Sequence, residues 1–392
     1  MKYTDRINRL TGTAEDSWAV YKLARQMIDQ GHDVIELAIG EPDVPAPDYL
    51  VDTAINALQS GRTTYSTGEG EPGLRRALSK RYTRTTGRQI TDDQILCFPG
   101  TQTALFAAIH AIAGPGDQIL VGDPMYATYD VVFQASGAEV VRIPLRAENG
   151  FCMAAEDLRA AVTPRTTAIF INTPHNPTGA VLSLQDLEEI GTVAQEHDLW
   201  LLSDEVYDEM LYPGATFHSP LELPELAERT IVVNSISKSH AAPGFRSGWC
   251  VGSPSFCQHL LPYSEAMLFG NQPFIADATE RAVSAPSPVA QGMAARFAAR
   301  ADRLAARLQG DTNLKVHKPQ AGMFALIDVS GTGLNGRDYA FDLLRNGGVG
   351  VMPGSSFGPS LENWVRLSLT KEDALFDEAC ERIVKHAQLC IA

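Results

Sequence analysis

The chain has 392 residues, 44% of them apolar and 20% charged, and carries 32 Lys and Arg against 47 Asp and Glu for a net charge of −15. That length buries at least one sizeable core, and the composition excludes a disordered chain. An acidic surface repels phosphate backbones and anionic headgroups, so nucleic acid and membranes are poor partners; beyond that the charge supports only good solubility.

The opening MKYTDRINRL is polar, without the apolar stretch of a signal peptide. No apolar run reaches the roughly 18 residues of a membrane span, so a cytoplasmic location is expected. The six cysteines (Cys97, Cys152, Cys250, Cys257, Cys380, Cys390) form no C-x-x-C pair and are read as having no His at ligand spacing. They are expected to be buried or incidental thiols in a reducing compartment, with no metal site.

In chain order, the first predicted element is a helix over 16–30. Alone before Gly40, it cannot bury its apolar face and is expected to pack with the C-terminal part. Pro47 opens a second helix that Gly61 closes, Pro72 opens a third running to Gly87, and a fourth begins near Thr101 and stops at Gly114-Pro115-Gly116. Apolar runs follow at 118–121, 139–143, 168–171, 199–202 and 231–233. They are nearly continuous rather than alternating, as expected of parallel strands covered on both faces. This alternation predicts an α/β domain whose mostly parallel sheet is sandwiched by helices. Further on, an Ala- and Arg-rich helix over 288–308 precedes a strand at 323–329, a helix over 336–346, strands at 349–352 and 365–369, and a final amphipathic helix over 372–389. These read as a smaller α+β domain. The expected division is a large domain over 46–285 and a small one made of 1–45 together with 286–392, closely apposed because no linker or repeat separates them.

In open parallel sheets, ligands bind beyond the carboxyl ends of the strands. The segments after the predicted strands are Asp123-Pro124-Met125-Tyr126, then 172–179 (NTPHNPTG), then Ser203-Asp204-Glu205-Val206-Tyr207, then Asn234-Ser235-Ile236-Ser237-Lys238. One cleft would collect a ring, an amide, a carboxylate, a phenol, hydroxyls and an amine. Pyridoxal phosphate requires such a set: an amine to condense with its aldehyde, a carboxylate to keep the ring nitrogen protonated, and donors for its phosphate. Lys238 supplies the amine and Asp204 the carboxylate. Ser235, Ser237 and Arg246 suit the phosphate, as do the free N–H groups and dipole of a helix starting at Gly100-Thr101-Gln102.

The segment SISKSHAAPGFRSG (235–248), with TPHNPTG (173–179) and SDEVY (203–207), resembles the class I/II, fold type I, pyridoxal-phosphate-dependent aminotransferases. The likeness continues through GEPD (40–43), YSTGEG (65–70) and VRLSL (365–369), in the family's order along nearly the whole chain. It implies a seven-stranded-type sheet in the large domain, pyridoxal 5'-phosphate as cofactor, and a ping-pong exchange of an amino group between an amino acid and a 2-oxo acid. Lys238 then forms the Schiff base and shuttles the proton. Asp204 pairs with the ring nitrogen, Asn176 and Tyr207 bond the phenolic oxygen, and Tyr126 stacks on the ring. Arg366 clamps the substrate carboxylate, with Asn176 and the Gly40 backbone. Tyr65 reaches the phosphate of a neighbouring subunit, which implies a homodimer with shared sites. Independently of the resemblance, a free amino acid's carboxylate is best matched by a bidentate Arg, which agrees with Arg366.

Shorter patterns point elsewhere. GEGEPG at 68–73 matches a dinucleotide fingerprint but follows no apolar strand. GSSFG at 354–358 matches a nucleophile elbow, yet Pro359 and a polar loop follow it, so a turn near the cofactor is expected. Ser235-x-x-Lys238 lacks the companion motifs of penicillin-binding proteins. His175 reads as a loop residue rather than a base, and Asp204-Glu205 has no further metal ligands at usable spacing. A β-lyase on the same scaffold is the alternative activity. A cofactor-binding regulator would need a nucleic-acid-binding module for which neither end leaves room. Residues 261–275 contain no Lys or Arg to hold a second carboxylate, which leans the donor towards non-acidic amino acids, and Ser17 and Trp18 are expected near its side chain.

Overall fold

A computed structural model describes residues 1–10 and 18–391 of the protein. Thirteen strands run in chain order: β1 (Ile35–Glu36), β2 (Ile95–Phe98), β3 (Gln118–Asp123), β4 (Glu139–Pro144), β5 (Thr166–Asn172), β6 (Trp200–Asp204), β7 (Thr230–Ser235), β8 (Gly248–Val251), β9 (Lys315–His317), β10 (Phe324–Asp328), β11 (Val349–Gly350), β12 (Met352–Pro353) and β13 (Trp364–Ser368). The main sheet has seven strands in the order β2-β8-β7-β6-β5-β3-β4. The five strands predicted from apolar runs are its parallel body. Short β2 and β8 were not among the predicted runs. They complete one edge, with β8 antiparallel to both of its neighbours.

Successive side chains of a strand point to opposite faces, and both faces here are buried. Ile119, Val121, Phe170, Leu202 and Val233 pack with residues of the helices Thr101–Ile112, Tyr129–Ser136 and Pro254–Met267. Leu120, Ile169, Ile171 and Leu201 pack on the other face against the helices Ala155–Ala161 and Leu184–Glu196. At the β2 edge, Cys97, Trp249 and Val251 meet the helices Asp48–Gln59, Pro72–Thr86 and Pro273–Val283. Local signals end these helices where the sequence places the ends. Pro72 occupies the first turn, where its missing N–H costs nothing, and Gly87 closes that helix in the left-handed region at φ 70°.

A four-stranded antiparallel sheet, β12-β13-β10-β9, and the parallel pair β1-β11 lie with the helices Pro288–Asp311 and Asp373–Ile391. Their shared core runs from Val20, Ala24, Ile35 and Leu37 to Phe297, Leu304, Ile327, Val365 and Phe376. The N-terminal segment is therefore more than one helix. It contains Asp5–Leu10, Ala19–Asp29 and β1, whose two residues found a partner only in β11, more than 300 residues away. The predicted helix start at 16 and Ser17 lie outside the described residues. The predicted helix over 336–346 is α-helical over Gly336–Asp342 and widens to a π-turn over Leu343–Gly347.

All six cysteines are free. The expectation that none has a His at ligand spacing is corrected. His386 and Cys390 stand four apart on the last helix, and with Asp342 each offers a donor atom within 4.8 Å of the others. The 3.6-residue period puts such pairs on one helix face, a spacing that a C-x-x-C pattern does not contain. No described helix is long and apolar enough to cross a membrane.

Candidate active site

β5, β6 and β7 end side by side, and their last residues, Asn172, Asp204 and Ser235, deliver the loops predicted to carry chemistry. A cavity of about 250 Å³ at these ends is lined by Trp18, Gly40, Thr101, Gln102, Tyr126, Tyr129, Asn176, Asp204, Tyr207, Ser235, Ser237, Lys238, Arg246 and Arg366, among others. Of the predicted site residues, only Gly100 and Tyr65 are not part of this lining. Gly100 sits immediately behind it, where a Cβ would come within 2.2 Å of the Arg246 guanidinium. Tyr65 is 90% exposed, its ring 6.2 Å from that of Phe269.

Lys238 belongs to the single-turn helix Ile236–Ser239 directly after β7. Its amine has no hydrogen-bond or ion-pair partner among the described residues. Burial lowers its pKa below the ordinary lysine value; the carboxylate of Glu41 opposes the shift and Arg366 and Arg246 reinforce it. Burial thus shifts this lysine towards the neutral amine, the form that acts as a nucleophile.

Asp204 is 4% exposed and held from two sides. Tyr129 Oη donates to its Oδ2 at 2.7 Å and the Val206 N–H to its Oδ1 at 3.1 Å. Burial pushes its pKa up to about 6, and the two hydrogen bonds restrain the rise. Such a carboxylate gains by accepting a cation. Tyr129 is the functional residue the sequence reading missed. It opens a helix three residues after Tyr126, so the paired tyrosines following β3 were the available signal.

Arg366 lies within β13 and is 2% exposed. Its guanidinium donates to Asn176 Oδ1 at 3.0 Å and to the Ala38 carbonyl at 2.8 Å, while its Nε has no partner. The rings of Phe324 and Phe357 lie 3.8 and 4.4 Å from its Cζ. Stacking between rings fixes the plane of the fork. No carboxylate is hydrogen-bonded to it, and burial lowers its pKa to about 10. Glu36 favours the cation only through space, and a buried guanidinium with no hydrogen-bonded carboxylate among the described residues is costly, so the position is poised for an anion. Close packing extends to Gly40, where a Cβ would lie 2.5 Å from the Phe324 ring.

The helix Thr101–Ile112 brings its first residues, Thr101 and Gln102, to the same cavity, and the buried Thr101 Oγ1 has no partner among the described residues. Arg246 adopts a left-handed backbone at φ 48°, uncommon for a side chain of its size. It donates to the carbonyls of Pro243 at 2.9 Å and Pro99 at 3.4 Å. Free N–H groups, hydroxyls and a guanidinium converge there, as a phosphate requires.

His175 lies outside the cavity lining. Its Nδ1 meets Thr178 Oγ1 at 2.8 Å, and burial lowers its pKa to about 4. The 354–358 segment forms a 3₁₀ turn followed by a second, Pro359–Leu361, rather than entering an α-helix, and it supplies Phe357 to Arg366.

Residues 32–383 match the family model described as aminotransferase class I and II. The arginine–pyruvate transaminase of Pseudomonas aeruginosa is 39% identical, over 100% of this chain and 98% of its own length. An aspartate aminotransferase of Bacillus sp. is 32% identical, over 95% and 96%. Among solved structures, the aspartate aminotransferase of Rhizobium meliloti superposes with a TM-score of 0.94 at 28% identity, covering 99% of each chain. That of Thermus thermophilus with maleate gives 0.91 at 31% identity, covering 98% of this chain and 100% of its own.

Proposed function

This chain belongs to the class I and II aminotransferases, and we propose that it moves the amino group of a non-acidic amino acid to a 2-oxo acid with pyridoxal 5'-phosphate held at Lys238. The observation that carries the reading is the meeting, in one cavity, of a buried amine and a buried guanidinium, neither hydrogen-bonded to a carboxylate among the described residues, with a buried carboxylate. The cavity's donor set fits the cofactor. Thr101 Oγ1 is a buried hydroxyl left without a partner beside Arg246, which suits a phosphate, and Asp204 suits a ring cation.

The cofactor would supply an electron sink for the pair released when the substrate loses its α-proton. Every other task falls to the chain. Lys238 Nζ takes the α-proton and returns it on the other side of the exchange, which its lowered pKa favours. Asp204 holds the ring nitrogen cationic, with Tyr129 fixing the carboxylate. Asn176 and Tyr207 serve the phenolic oxygen, and Tyr126 covers the ring. Ser235, Ser237, Arg246 and the 100–102 helix start hold the phosphate. Arg366 binds the substrate carboxylate, with Asn176 already on its fork and the Gly40 backbone beside it. Tyr65, 90% exposed and outside the lining of its own cavity, suits a role in the site of a second copy, so we assign a homodimer. The core that pools residues 20–37 with 290–387, joined from the larger part by Val206, Tyr207, Met210, Tyr212 and Ala241, supports a small domain of 1–45 with 286–392 packed on a cofactor domain of 46–285. A cytoplasmic location agrees with the lack of a membrane-spanning helix among the described residues.

Two features favour a non-acidic donor. The cations among the described lining residues are Lys238, Arg246 and Arg366, and each already has a task, which leaves none for a distal carboxylate. The relative acting on arginine is also the more similar of the two curated relatives described above. The deciding assay is a panel of donors with pyruvate and 2-oxoglutarate, reading amino-acid product. Arginine or apolar donors are expected to exceed aspartate in kcat/KM by about 10²-fold. Ammonia release independent of an oxo acid would instead identify a β-lyase.

Arg366→Lys keeps the charge but loses the fork. Its kcat/KM is expected to fall about 10²–10³-fold for every donor and acceptor, mainly through KM, with the visible band of bound cofactor retained. A loss restricted to particular side chains would count against the carboxylate role. Trp18→Ala is expected to lower kcat/KM for large donors by about 10-fold while sparing alanine, and an unaltered donor profile would remove Trp18 from the side-chain pocket.

A further inference from the structure

We propose that Cys390 and His386, with Asp342 orienting the imidazole, form a site for a thiophilic divalent cation of the Zn²⁺ type on the last helix, outside the cofactor cavity. The helix Asp373–Ile391 carries the first two residues four apart, hence on one face. Cys390 Sγ and His386 Nδ1 are 3.9 Å apart. A tetrahedral ion with bonds of about 2.3 Å to sulfur and 2.0 Å to nitrogen separates its two ligand atoms by about 3.5 Å. The pair therefore chelates after a closure of a few tenths of an ångström, within the reach of a side-chain torsion.

The imidazole is oriented for this use. His386 Nε2 lies 2.7 Å from Asp342 Oδ2, and Asn346 Nδ2 holds the other carboxylate oxygen at 2.7 Å. With the proton on Nε2 donated to Asp342, the lone pair of Nδ1 faces the thiol, the arrangement by which carboxylates orient metal-binding histidines. A second observation points to a missing ligand. Tyr339 is 0% exposed and its hydroxyl has no partner. Its ring meets His386 edge-on at 5.1 Å, and its charged neighbours are Cys390 and Asp342. A buried phenol is normally hydrogen-bonded, and an ion on Cys390 and His386, or a water on that ion, supplies the partner.

A cavity of about 400 Å³ lined by Met27, His386 and Leu389, among others, opens beside the imidazole. The Lys and Arg residues lining that cavity are Arg345, Lys385 and Arg382, the last already paired with Asp33 and Glu378. Binding replaces the thiol S–H bond with a metal–sulfur bond and releases the proton to solvent, so affinity rises with pH.

The test titrates Zn²⁺ into the purified holoenzyme against a chromophoric chelator. The unaltered protein is expected to bind one more ion per chain than Cys390→Ser or His386→Ala, and Asp342→Asn to bind about 10-fold more weakly. Transaminase turnover in Cys390→Ser should be unchanged. Should the variants misfold, the unaltered enzyme still decides the matter. Zn²⁺ should slow alkylation of Cys390 by iodoacetamide at least about 10-fold, read by peptide mass, because the metal-bound thiolate is withheld from the reagent. Equal zinc uptake by the unaltered protein and Cys390→Ser, or Cys390 alkylation indifferent to zinc, overturns the proposal.

Discussion

Lys238→Ala should fold, retain pyridoxal phosphate through the remaining contacts, and lose steady-state turnover by at least about 10⁴-fold. The substitution removes at once the amine that condenses with the aldehyde and the base that carries the α-proton. No second amine in the lining can replace it, because Arg246 and Arg366 keep their protons. Folding should survive, because the ammonium makes no hydrogen bond or ion pair among the described residues and its desolvation already opposes the charged form. Absorption spectra check the result. After borohydride reduction, which turns the imine into a stable secondary amine, the unaltered protein should keep a near-ultraviolet chromophore through denaturing gel filtration, whereas the variant, with no imine to reduce, should release its cofactor there. Retained turnover in the variant would end the assignment.

Asp204→Asn should lower kcat by about 10²–10⁴-fold with a smaller change in KM, since it removes a charge aimed at the ring rather than a contact to substrate. The carboxylate is buried at the end of β6, and that burial, which disfavours the anion, raises its pKa to about 6. The sign of the pH dependence follows. Because the folded value lies above the ordinary aspartate value near 4, protonation favours the folded, cofactor-free chain below about 4, and that contribution is lost as pH rises through about 6. A cationic ring next to Asp204 reverses the preference. Cofactor affinity should therefore weaken as pH falls through the range in which the carboxylate is protonated, as measured by dialysis and absorbance. Tyr129→Phe offers a milder companion. Losing the 2.7 Å donor removes an interaction that lowers the Asp204 pKa, so the acid limb of cofactor retention should move to higher pH. An unmoved limb would deny Tyr129 that role.

The zinc-type site shows the opposite case. Its residues sit in an ordinary amphipathic helix, and only the 3.6-residue period hinted at them. The helix period brings His386 to Cys390, but Asp342 and Tyr339 reach them from a segment over forty residues earlier. The edge strand β2 and its neighbour β8 are illegible in the sequence for a related reason. Four apolar residues carry no periodicity that separates a strand from a helix turn, and only pairing with each other and with β7 makes them strands.

The sequence by itself determined whatever is written within about ten consecutive residues. It set the helix ends at proline and glycine, the apolar parallel strands, and the loops after those strands with their lysine, aspartate, asparagine and tyrosines. Strand order and register decided the rest. They brought Tyr129 to Asp204 across 75 positions and Arg366 to Asn176 across 190. They also closed Phe324 and Phe357 over a guanidinium that, read alone, could have been an exposed strand end. The physical reason is that torsional preference and hydrophobic period act between near neighbours, whereas the environment that shifts a pKa or orients a fork is made by groups that meet only when the whole core is buried.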